Sequence, residues 1–191
     1  MASLQRTLAR TLLSLPSPIL RLMSGGAAVY RGGRTLDPRF QFMAAQAARM
    51  PAMTSLSPEE ARRTSAEGAR VYGGRAEPGV RVEPLTIPAP DRSIPARLYR
   101  PERPDPNAPA IVFAHFGGGV IGDLETSHAF CGILAKVTRA PVVSVEYRLA
   151  PEHRFPAGLE DVLAAYRYVR DHAAQFGAPS EQLQPRGGQK R

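Results

Sequence analysis

The residues best suited to chemistry in this 191-residue chain fall in one run, His115-Phe116-Gly117-Gly118-Gly119-Val120-Ile121-Gly122-Asp123. The run follows Ala110-Ile111-Val112-Phe113-Ala114-His115, whose unbroken apolar character predicts a strand buried on both faces. Ligands in open α/β sheets sit at the carboxyl ends of strands, which is where this loop falls. Three consecutive glycines let the backbone come close to a reacting group with its N–H groups facing it. A tetrahedral oxyanion needs such donors, each typically worth about 2.7–4 kcal/mol. A plain glycine-rich turn remains the alternative while the glycines stand alone. A phosphate loop fits poorly, because no Lys-Ser/Thr pair follows.

Other candidates carry weaker signals. His128 opens a predicted helix and His172 lies in the last one, neither with a partner pattern, so structural or surface roles are expected for both. Asp123 reads as a loop-shaping side chain. The single cysteine, Cys131, excludes a disulfide within the chain and argues against a zinc site. It falls in a helical apolar pattern, so a buried thiol and a reducing cytoplasmic setting are expected.

Composition bounds what can surround this loop. With 43% hydrophobic residues, the chain can build one core and a small appendage. Nineteen Pro and 17 Gly suit a loop-rich α/β protein better than a bundle. The net charge of +8 is carried almost entirely by arginines, scattered among acids after Asp37. No basic stripe emerges, so no nucleic-acid partner is expected. No apolar run approaches the roughly 20 residues of a membrane span. The first 36 residues hold five Arg and no acid, like a transit peptide or a membrane-touching helix. Pro16 and Pro18 break that run, and a cleavage signature is missing.

The elements that must position the loop can be read in order. Residues 1–75 read as helical. Phe40, Met43, Ala44 and Ala47 fall at helical spacing, and Ser57-Pro58-Glu59-Glu60 forms a capping box for a helix toward Tyr72. Val80–Ile87 reads as an edge strand that tolerates Pro84, paired as a hairpin with Ile94–Tyr99. After the loop comes a helix from about Ser127 to Arg139 with Phe130, Ile133, Leu134 and Val137 on one face. Val142–Val145 is a second buried strand. A last helix, between Pro156 and Gly177, carries Leu159, Val162, Leu163, Tyr166 and Val169. Alternating strands and helices predict an α/β fold with a parallel sheet.

The stretch Ser144-Val145-Glu146-Tyr147-Arg148-Leu149-Ala150-Pro151-Glu152-His153-Arg154-Phe155-Pro156-Ala157, with Glu160-Asp161 opening the final helix, adds a more specific signal. Together with the glycine loop it resembles the hormone-sensitive-lipase family of esterases and lipases, from about Leu36 to Gly177. The resemblance implies an α/β-hydrolase fold with an N-terminal helical cap. It implies serine carboxylesterase chemistry on small acyl esters, without metal or organic cofactor. Position by position, His115 matches a loop-orienting histidine, and Gly117 and Gly118 match the oxyanion donors. Phe116 stands where the family has its first glycine. Glu152 and His153 match a loop that supports the fold, not an acid–base pair.

The family's nucleophile sits on a G-x-S-x-G elbow after the next strand, followed by an acid and a histidine. No serine here has glycines two positions to either side. The expected organisation is a cap region at 1–76, the first half of the hydrolase core at 77–184, and a basic tail at 185–191. The nucleophile and the triad acid and base are therefore expected to be absent, and the chain inactive alone. Truncation or a frameshift is the favoured reading of the ending. A genuine short chain, kept as a non-catalytic binding or scaffold module, is the alternative. A truncated sheet would expose the edge of its last strand, so a marginal, aggregation-prone chain that self-associates through that edge is expected.

Overall fold

The computed structural model describes residues 2–74 and 77–179. They form two compact units, one ending at Tyr72 and one beginning at Gly73. The expected basic tail at 185–191, and the stretch 180–184 before it, lie outside the described residues.

In the first unit the N-terminal stretch forms α1 (Ala2–Leu13) and α2 (Ser17–Met23). Proline disfavours a continuing helix but suits a first turn, which places the break at Pro16 and the restart at Pro18. A two-residue ladder follows, β1 (Tyr30–Arg31) with β2 (Arg34–Thr35), closed by Gly32-Gly33 at positive φ. The helical reading of this region had no place for it. In α3 (Pro38–Ala47), Asp37 accepts the Arg39 amide at 2.8 Å. Phe40, expected on the apolar stripe, is exposed, whereas Gln41 and Phe42 are buried. Gln41 faces inward because its side-chain amide donates to the Ala27 carbonyl at 2.7 Å. In α4 (Pro58–Tyr72) the capping box forms: Glu60 accepts the Ser57 amide at 3.0 Å, and Ser57 Oγ accepts the Glu60 amide at 3.3 Å.

In the second unit, β3 (Val80–Pro88) and β4 (Ser93–Pro101) make the expected hairpin, in register from Val80 opposite Pro101 to Pro88 opposite Ser93. Then come β5 (Ile111–Ala114), α5 (His128–Thr138), β6 (Val142–Val145) and α6 (Ala157–Asp171). The sheet order is β3-β4-β6-β5. β5 and β6 run parallel, as strand-helix-strand order demands, whereas β4 inserts antiparallel against β6. The described part of the sheet is therefore mixed. Side chains alternate across it. Val142 joins Tyr99, Cys131 and Ala135 in one cluster, and Val143 and Val145 join Ile87, Ile94, Leu98, Ala165 and Val169 in the other. The helices α5 and α6 thus cover opposite faces.

Three expectations about packing are corrected. β5 is only half-buried and its Ala114 is exposed, because among the described residues it has a partner strand on one side alone. In α5 the buried residues are Cys131 and Ala135, which pack against the sheet, and Gly132, which faces Glu77, while Phe130, Ile133 and Val137 are exposed. This helix is apolar around most of its circumference, so periodicity cannot choose a face. Small residues win, because they allow the closest approach. In α6, Val169 is buried as expected, but Leu159, Leu163 and Tyr166 are exposed and Asp161 and Ala165 face the sheet. No described helix is long and apolar enough to cross a membrane.

Candidate active site

The glycine loop leaves the carboxyl end of β5 at His115. Gly117 has a φ of 134°, and a Cβ there would stand 2.0 Å from the Ile121 carbonyl oxygen. Only glycine fits. The Gly117 carbonyl accepts the Val120 and Ile121 amides at 3.2 and 3.1 Å, which folds the loop back on itself. At the loop's exit, a Cβ on Gly122 would stand 2.4 Å from His115 Nδ1. Gly118, by contrast, borders open space. Among the described residues, neither the Gly117 nor the Gly118 amide donates to a protein acceptor. Phe116 lies outside the positive-φ region, so a side chain is tolerated there, and its ring is exposed.

Residues 146–150 hold this loop from beneath. Tyr147 donates its hydroxyl to the His115 carbonyl at 2.7 Å and stacks on the His115 ring at 4.2 Å. The Ala150 amide donates to the Gly119 carbonyl at 2.8 Å. Glu146 accepts the Leu124 amide at 2.9 Å. Burial pushes the Glu146 carboxyl above its ordinary value, outweighing the opposing pull of the Leu124 amide and His115. Burial also raises the Tyr147 hydroxyl. His115 is itself buried, and its Nε2 finds no partner among the described residues.

The 146–150 segment is anchored in turn to α6. Asp161, 2% exposed, accepts the Arg148 amide at 2.8 Å, the Arg148 guanidinium at 2.9 and 3.1 Å, and Arg92 Nη1 at 2.9 Å. A buried carboxylate ringed by donors is satisfied, which explains an acid in the sheet-facing row of this helix. In the sequence, Glu146, Tyr147 and Asp161 figure only as parts of the 144–161 pattern, with no individual role, and Arg92 only as part of the turn between two strands. The available signal was an acid and a tyrosine at the carboxyl end of a buried strand, beside the loop-bearing strand.

The remaining candidates have structural partners. Asp123 accepts the Thr126 amide at 2.7 Å and shapes the turn into α5. His128 Nδ1 lies 3.1 Å from the Tyr99 hydroxyl and 3.3 Å from Arg97, which also pairs with Glu125. Burial, and then Arg97, hold the His128 imidazole below its ordinary value. His172 stacks on Tyr168 at 4.3 Å. Glu152 and His153 are exposed, and His153 borders an open cavity of about 400 Å³ with Arg92, Pro95, Glu146, Tyr147 and Arg148. Cys131 is a buried free thiol pushed up to about 11 by that burial. None of these side chains touches the glycine amides in a nucleophile–base arrangement.

Comparison with known proteins agrees with this architecture. Residues 111–184 match the family model described as the alpha/beta hydrolase fold. The carboxylic ester hydrolase LipN of Mycobacterium tuberculosis is 38% identical over 169 residues, which are 86% of this chain and 44% of that protein. The ethyl acetate hydrolase of Pseudomonas putida is 35% identical over 69% of this chain and 42% of its own length. Among solved structures, the hyperthermophilic esterase of Pyrobaculum calidifontis superposes with a TM-score of 0.65 at 39% identity, covering 72% of this chain and 44% of that one. The chain spans a little under half the length of these relatives. It belongs to the hormone-sensitive-lipase-type α/β-hydrolase family.

Proposed function

We propose that these residues form the oxyanion-donating half of a serine carboxylesterase acting on small acyl esters. The observation that carries this reading is the pair of amides at Gly117 and Gly118, unengaged among the described residues, in a loop whose turn at Gly117 only glycine can form. Such amides stabilise the negative charge that develops on the carbonyl oxygen during acyl transfer, and they act before any rearrangement is needed. His115, buried beneath them and stacked on Tyr147, orients the loop. The relatives named as ester hydrolases and esterases support the substrate class. A donor pair without nucleophile and base cannot start acyl transfer. The 191 residues alone are therefore expected to be inactive. The buried, unpaired Cys131 supports a reducing, cytoplasmic setting.

The test has two arms. Purified chain should hydrolyse a short-chain nitrophenyl ester no faster than its Gly117→Pro variant. Fusing residues 1–183 to the C-terminal portion of an esterase relative should give hydrolysis, and Gly117→Pro in that fusion should reduce it about 100- to 1000-fold. A folded, active fusion indifferent to Gly117→Pro would sink the reading. Turnover by the chain alone, above the proline control, would sink the expectation of inactivity.

A further inference from the structure

Three contacts from one five-residue segment meet the loop at three points: its entry at His115, its middle at Gly119 and its exit at Leu124. The first two take loop carbonyls as acceptors. The third engages a loop amide with a carboxylate, and hydrogen bonds to an ionised acceptor are roughly twice as strong as neutral ones. Glu146 is well placed to hold, because its own amide donates to the Pro95 carbonyl at 2.9 Å at the start of the β4–β6 pairing. The His115 ring acts by stacking on Tyr147 and not by latching a distant part of the loop. Its Nε2 has no partner among the described residues, and its Nδ1 reaches only the adjacent Phe116 carbonyl at 3.3 Å.

We infer that Glu146 is a positioning residue for the oxyanion loop, its carboxylate latching the Leu124 amide so that the Gly117 and Gly118 amides stay turned outward. A glutamine could accept the same hydrogen bond without burying a charge. A carboxylate that burial disfavours marks the position as one where a local rule is broken, as happens at functional sites. The groups facing it are Arg97 from β4, His115 and Asp123 from the loop, and Tyr147 beside it. The meaning of the latch for catalysis rests on the esterase reading. The latch itself does not.

Backbone NMR on the full 191-residue chain separates the two. In the parent, the Leu124 amide shift should titrate with a midpoint above the ordinary glutamate value, and Glu146→Gln should abolish that titration while keeping the loop ordered. Glu146→Ala should lower the order parameters of Gly117–Gly119 from about 0.85 to below about 0.6, with Val142–Val145 unchanged. A rigid loop in Glu146→Ala overturns the inference. So does a Leu124 titration that persists in Glu146→Gln, since it would then belong to Asp123 or His115. Should Glu146→Ala fail to fold, the glutamine variant decides alone by the same titration. An inactive esterase fusion with a normal Leu124 titration would count against the esterase reading and leave the latch standing.

Discussion

Replacing Gly117 by alanine tests whether the loop is built as described. The new Cβ would lie 2.0 Å from the Ile121 carbonyl oxygen and 2.6 Å from its carbon, both backbone atoms that cannot rotate away. The φ of 134° adds strain of about 1–3 kcal/mol for a residue with a side chain. Relieving the overlap opens the turn and weakens the two hydrogen bonds to the Gly117 carbonyl, each worth about 1 kcal/mol net. The sum is a loss of about 3–5 kcal/mol. Gly118→Ala is the control. It meets open space and carries only left-handed strain, about 1–2 kcal/mol. Urea unfolding followed by circular dichroism should therefore rank parent above Gly118→Ala above Gly117→Ala. At a slope of about 2 kcal/mol/M, the two variants should differ in midpoint by about 1 M. Equal midpoints, or the reverse order, would refute the claim that Ile121 packs against Gly117.

Glu146 should make stability fall with rising pH. Its folded value is raised above the ordinary 4.5, so its contribution is full below that value and is lost as pH climbs through the folded one. Glu146→Gln should flatten that slope in urea titrations taken from pH 4 upward; an unchanged slope would assign it elsewhere. The Cys131 thiol, held near 11 against an ordinary 9.0, should react with a thiol reagent at pH 8 at least about 100-fold more slowly in native chain than in denaturant. Equal rates would place the thiol at the surface. The exposed apolar side of α5, at Phe130, Ile133 and Val137, together with the β5 edge, unpaired among the described residues, should drive concentration-dependent self-association. Val137→Glu, on an exposed position, should reduce it in light-scattering chromatography without lowering the melting temperature. A monodisperse parent chain at high concentration would count against the prediction.

Much of this protein is legible in its residues. The apolar run before His115, the glycine triplet after it and the Tyr147–Ala157 stretch identify a loop at the end of a sheet strand, because glycine patterns and strand periodicity are local properties. The Ser57–Glu60 capping box and the hairpin between Val80 and Tyr99 are local for the same reason. Three things were decided only by tertiary structure. The insertion of β4 antiparallel against β6 joins segments over 40 residues apart, and no spacing encodes that choice. The faces of α5 and α6 follow from which side chains pack closest to the sheet, so Cys131, Ala135 and Ala165 displaced the larger Phe130, Ile133 and Leu163. The supports of the loop, Glu146 and Tyr147 beneath it and Asp161 behind Arg148, acquire their roles only when β6 lies beside β5. Local pattern specifies a chain's elements; a polar side chain's partner is set by the long-range pairing that brings distant backbone within 3 Å.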